Sequence, residues 1–109
     1  MRIKVYMISK KANYNASAIY EDGKITVIKG SKIRKENPNF KRMLILNKYR
    51  NDKNMVDENY ILLKDITFNS PSTAAQFVGD SSRNGLIYWR DENNHKLKFI
   101  IKNKEKWNE

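Results

Sequence analysis

The sequence predicts an α+β fold: a curved, mainly antiparallel sheet with two helices packed on one face. Three observations carry that expectation. Apolar and polar residues alternate near the N-terminus, which is the pattern of strands with one buried face. Asp22-Gly23 separates two such runs, a strong hairpin signal. Asn37-Pro38 and Ser70-Pro71 each stand ahead of apolar residues spaced three and four apart, the chemistry of helix starts.

The elements follow in order. Ile3, Val5 and Met7 form the buried face of a leading strand over residues 2–8, and Lys10 to Tyr14 reads as a loop. Ala16, Ala18 and Tyr20 alternate again, and Ile25 and Val27 continue after the Asp-Gly turn. Gly30 ends that strand where the backbone must turn. Residues 38–50 are expected as a basic helix, with Pro38 in its first turn and Phe40, Met43, Leu44 and Leu46 on its apolar face. Tyr60 to Leu63 is a short strand candidate, which Ile66 and Phe68 extend or follow. Ser70 is the expected N-cap of a short helix with Pro71 at its first position. Ala74, Ala75, Phe77 and Val78 fill that helix, and Gly79 is expected as its left-handed C-cap. Asn84-Gly85 then reads as a tight turn at positive φ, Leu86 to Arg90 as a strand, and Lys96 to Ile101 as another. The tail from Lys102 to Glu109 is short and charged and is expected to fray, with Trp107 able to dock it.

A length of 109 residues suits one domain spanning the whole chain. Its 22 Lys and Arg against 12 Asp and Glu leave a formal charge of +10, which attracts polyanions of every kind. Nine basic residues and only Glu36 as an acid lie between Lys24 and Arg50. A second basic segment holds Arg83, Arg90, Lys96, Lys98, Lys102, Lys104 and Lys106. If the two meet in space they form one positive face. Cysteine is absent, so disulfides, thiolate catalysis and cysteine-based zinc sites are excluded. Neither a signal peptide nor a membrane-spanning run is expected, which points to a cytoplasmic protein without a membrane partner.

The segment FNSPSTAAQFVGDSSRNGLIYW, Phe68 to Trp89, resembles a small bacterial family, the DUF4357 domain. It is also similar to the related RAMA domain, named for its association with restriction enzymes and adenine methylases. The upstream GKITVIKGSKIRK, Gly23 to Lys35, resembles the opening of the same family. The likeness covers residues 16–100, through Gly30, Ser31, Phe68, Ser70, Pro71, Ser72, Ala74, Ala75, Gly79, Asn84, Gly85 and Trp89. It implies recognition of nucleic acid, DNA before RNA, in a restriction-modification or defence setting. A nuclease or methylase subunit is the implied protein partner. The resemblance supplies no catalytic residue.

The residues themselves point away from catalysis. His95 is the only histidine, and it lies in a polar turn without the spacing of a triad or metal site. Asp57-Glu58 and Asp91-Glu92 are adjacent pairs whose members face apart. No convergent carboxylates can be named for a two-metal nuclease, and GKITVIKGSK lacks the small residues of a phosphate cradle. A non-catalytic domain with no metal or cofactor is therefore expected.

For binding, the basic helix offers Lys41, Arg42 and Lys48, and the C-terminal segment offers Arg83. Strand alternation would place Tyr88 and Arg90 on one exposed face, for stacking and phosphate contact, and Trp89 in the core. Ser72 stands at a helix start, where free N–H groups serve either their own caps or an anion. The competing expectation is a protein-interaction or structural module whose charge keeps it soluble. A basic groove leading to Tyr88 and Arg90 would favour nucleic acid, and an exposed apolar patch would favour the rival.

Overall fold

The computed structural model describes residues 2–107, with side chains described through residue 104. Strands β1 (Arg2–Ser9), β2 (Tyr14–Glu21), β3 (Lys24–Val27) and β4 (Ile66–Phe68) form an antiparallel meander in the order β1-β2-β3-β4. Asp22 and Gly23 both take positive φ, 50° and 87°, which matches the twist of a two-residue hairpin. The register sets Val5 opposite Ala18, Ala18 opposite Val27, and Ile25 opposite Phe68. These residues share one face, and all are buried.

The expected pair of helices on a curved sheet is overturned. Four helices stand among the described residues, and the sheet is an open meander. They are α1 (Leu44–Asn51), α2 (Pro71–Gly79), α3 (Gly85–Tyr88) and α4 (Leu97–Trp107). α2 covers the buried face of β2, β3 and β4. Phe77 of α2 packs 5.2 Å from the Phe68 ring, and Tyr49 of α1 meets both edge-on at 5.8 and 6.4 Å. Such offset and edge contacts suit the ring quadrupoles.

The two C-terminal segments expected as strands are α3 and α4. Leu97, Ile100 and Ile101 are spaced for a helix as well as being β-branched or bulky, and the core accepts the helical option. Leu97 is buried, whereas Phe99, which a strand would place on the same face, is half exposed. The expected fraying tail continues α4 through Trp107. The docking expected of the Trp107 side chain lies outside the described side chains.

Asn84-Gly85 is not a turn at positive φ. The Asn84 side chain accepts the Leu86 N–H at 3.0 Å and so caps α3. Gly85 is needed for space, because a Cβ there would overlap the Pro71 backbone carbonyl. The Gly85 N–H reaches Ser72 Oγ at 3.0 Å, and the Trp89 indole N–H reaches the Pro71 carbonyl at 3.0 Å. Together these three contacts pin the start of α2 to α3.

Ser70 caps α2 as expected, accepting the Thr73 N–H at 3.2 Å. Gly79 is not the left-handed residue. It is the last residue of α2, and Asp80 takes the αL conformation at φ 48° and ψ 47°. The expected helix over 38–50 is also corrected, since α1 starts only at Leu44. Asn37 to Phe40 forms a turn instead, with the Phe40 N–H on the Asn37 carbonyl at 3.1 Å. The Asn37 N–H donates to Asp80 Oδ2 at 2.6 Å, and its amide donates to the Asp80 carbonyl at 3.0 Å. That tertiary anchor holds residues 37–42 out of the helix their spacing allows. Of the apolar face expected there, Leu46 is buried, but Met43, Leu44 and Ile45 are exposed. Tyr60 to Leu63 makes isolated bridges from Ile61 and Leu62 rather than a strand.

Candidate nucleic-acid interface

A groove of about 980 Å3 lies beside the β1–β2 hairpin. Its position follows from strand pairing. β1 is an edge strand, and an open edge invites pairing. Arg90 fills part of it: the Tyr6 N–H donates to the Arg90 carbonyl at 2.7 Å, and the Arg90 N–H returns to Tyr6 at 3.1 Å. This pairing brings the end of α3 and the turn after it against Tyr6, Ile8 and the hairpin loop, with the groove between them.

Four cationic side chains line the groove: Lys11, Arg34, Arg83 and Arg90. None of them is ion-paired within the described residues. Lys4 adds a fifth charge nearby, its ammonium 5.6 Å from the centre of the Tyr6 ring. The Arg83 guanidinium lies 4.7 Å from the Tyr88 ring centre and 5.4 Å from that of Tyr14, a cation–π arrangement with both rings. Arg83 Nε is buried without a hydrogen-bond acceptor. Tyr14 is buried, whereas Tyr88 is 43% exposed. Arg90 reaches Asn94 Oδ1 at 3.3 Å. Asp91 and Glu92 also line the groove. The Asp91 carboxylate is engaged by the N–H groups of Asn93 and His95 and by the His95 ring at 3.1 Å.

The remaining residues expected to bind lie apart from this groove. Lys41 and Lys48 are exposed but are not among its lining residues. Ser72 Oγ is occupied by the Gly85 N–H, so the start of α2 is closed by its own capping and docking bonds. Arg42 is a structural residue. Its Nε donates to Asp80 Oδ1 at 2.6 Å and its Nη2 to Oδ2 at 3.1 Å. Glu36 adds a contact at 3.2 Å.

Asp80, fully buried, is the hub of that second cluster. Arg50, also buried, sits 3.8 Å from it and donates to the carbonyls of Phe77, at 2.5 Å, and Arg34. Desolvation pulls the Arg50 pKa down against the pull of Asp80, while the Asp80 hydrogen bond raises that of Arg42. Burial pushes the Asp80 carboxyl up. The Arg42 hydrogen bond, the Asn37 N–H and the two guanidinium charges outweigh it and hold the group below its ordinary value.

The arginines therefore divide into two kinds. Arg42 and Arg50 neutralise a buried carboxylate, and Arg34, Arg83 and Arg90 face a groove without a carboxylate partner. Sequence reasoning named Arg83, Tyr88 and Arg90 but missed Lys11, Arg34, Tyr6 and Tyr14. Tyr6 was legible as an outward residue of the first alternating strand. Arg34 lies in the basic run after Gly30-Ser31, but only the tertiary fold shows that it lines the groove with Arg83 while Lys41 does not.

Among the described residues, no three His, Cys, Asp or Glu side chains gather into a metal-sized site. No helix among them is long and apolar enough to cross a membrane. Comparison with curated proteins and with solved structures returns no significant match. The motif residues Phe68, Ser70, Pro71, Ala74, Ala75, Asn84, Gly85 and Trp89 build the β4–α2–α3 unit that carries one wall of the groove. The family described as "Domain of unknown function (DUF4357)" matches residues 6–101, most of the chain, and the protein belongs to that family.

Proposed function

We propose that the domain binds nucleic acid through this groove and does no chemistry of its own. One observation carries the reading: three arginines without carboxylate partners and an exposed tyrosine converge on a single concave surface. Guanidinium groups suit phosphate, and tyrosine rings suit bases. DNA, in a restriction or defence setting beside a nuclease or methylase, is the target that the family resemblance favours.

The test is a salt series with short DNA and RNA oligonucleotides. Affinity should fall steeply between about 50 and 200 mM salt, with a log–log slope of roughly 0.7 to 0.9 per phosphate contacted. Arg90→Gln and Lys11→Gln should each weaken binding and flatten that slope. Lys102→Gln and Lys104→Gln, exposed on α4 and outside the groove, serve as controls. Equal losses from groove and control variants would reduce the interaction to net charge.

A second reading has its own observation. Met43, Leu44 and Ile45 are exposed in a row at the start of α1, Leu44 by 89%. Such a run suits a protein partner. Failure of every oligonucleotide to bind at low salt would select this reading.

A further inference from the structure

We infer that the groove takes an unpaired nucleotide, its base stacked on Tyr88 and its phosphate on Arg83 and Arg90; this rests on the nucleic-acid reading and narrows it to a single-stranded substrate. The inference comes from what the groove combines. Tyr88 and Ile8 are exposed there by 43% and 62%, which supplies a flat aromatic surface beside an aliphatic one. The Arg83 guanidinium, 4.7 Å from the Tyr88 ring centre, holds that ring in place and makes no hydrogen bond to the described residues. Arg90 stands on the same surface, its backbone fixed by two bonds to Tyr6.

Each simpler ligand leaves part of this unused. A lone phosphate needs the guanidiniums but not the exposed ring and Ile8. A duplex presents phosphates and base edges, but its base faces are stacked on one another and closed to Tyr88. An unstacked base offers its π-face, and its own phosphate lies one sugar away. About 980 Å3 is at the upper end of the range for small-ligand sites and has room for base, sugar and phosphate together.

The experiment compares four probes by fluorescence anisotropy on the full chain at one salt concentration. They are a mixed-sequence single strand as DNA, the same strand as RNA, its blunt DNA duplex, and the DNA strand with abasic sites. The single strands should bind more tightly than the duplex, and whichever of DNA or RNA binds more tightly names the natural strand. Tyr88→Ala should weaken single-strand binding roughly 5- to 150-fold. Tyr88→Phe, which keeps the ring, should retain most of the affinity and also guards against misfolding as the cause. On the abasic strand, Tyr88→Ala should change nothing. A duplex that binds as tightly as the single strand, or an equal Tyr88→Ala loss on intact and abasic strands, would overturn this inference while leaving the nucleic-acid reading in place. Failure of all four probes to bind would end both.

Discussion

Replacing Asp80 tests how the fold is held behind the groove. The residue is fully buried, sits in the left-handed region at φ 48°, and meets Arg42, Arg50 and Asn37. Asp80→Ala leaves the Arg50 side chain, 1% exposed, without its counter-charge. Breaking a buried pair from one side costs about 3–5 kcal/mol. Alanine at positive φ adds roughly 1 kcal/mol of strain. Against a typical margin of about 5–15 kcal/mol this is severe. The expected drop in Tm is on the order of 10–30 °C. Thermal and urea denaturation measure it. Asp80→Asn separates the contributions, because Asn tolerates αL and keeps an acceptor but lacks the charge. It should lose less than Ala and still fall below the wild type. A loss under about 1 kcal/mol for Ala would refute the hub. Acid should reproduce the effect. The folded Asp80 pKa is depressed, so its contribution is complete above the unfolded carboxylate value near about 4 and is lost as pH falls through the folded value. The Asn variant should lack that part of the acid sensitivity.

Two glycines give contrasting expectations. Gly85→Ala should destabilise by about 1–3 kcal/mol, because its Cβ meets the rigid Pro71 backbone; a variant stabilised as in an open helix would contradict the close approach. In Gly79→Ala the new Cβ overlaps the Arg83 side chain, which must leave its seat over Tyr14 and Tyr88, while Ala is the better helix former by up to about 1 kcal/mol and offsets part of that loss. Its Tm should fall less than that of Gly85→Ala while oligonucleotide affinity falls, and unchanged affinity would remove Arg83 from the binding surface.

Local signals were legible wherever one physical solution dominated. Ile3, Val5 and Met7 alternate with polar neighbours, and Asp22-Gly23 permits positive φ at both turn positions, so the hairpin followed directly. Ser70-Pro71 likewise announced α2. Ambiguity began where one string satisfies two periods. Lys96 to Ile101 can alternate as a strand or present Leu97, Ile100 and Ile101 to one helical face, and only packing decides. Asn84-Gly85 has the composition of a hairpin turn, but here Asn caps a helix and Gly clears a carbonyl. Residues 38–43 have helical spacing, yet the side chain that holds them in another shape, Asp80, lies some forty positions away. The groove had the same limit. Tyr88 and Arg90 were named on strand alternation, and they share a surface for a different reason: Arg90 pairs with Tyr6 just beyond α3.

The buried hub and the open groove are built on shared backbone. Arg34 puts its side chain along the groove, while its N–H bonds the Val78 carbonyl at 2.9 Å and its carbonyl accepts from Arg50. Gly79 lies under Arg83, and Asp80, which follows it, turns the chain by adopting αL before that arginine. Residues 78–83 therefore face the ion cluster on one side and the tyrosines on the other. This division accounts for two chemically similar sets of arginines on either side of one stretch of backbone. The set neutralised by Asp80 fixes where the chain runs. The set facing the groove has no carboxylate partner among the described residues, and under the proposed function it supplies the contacts to phosphate.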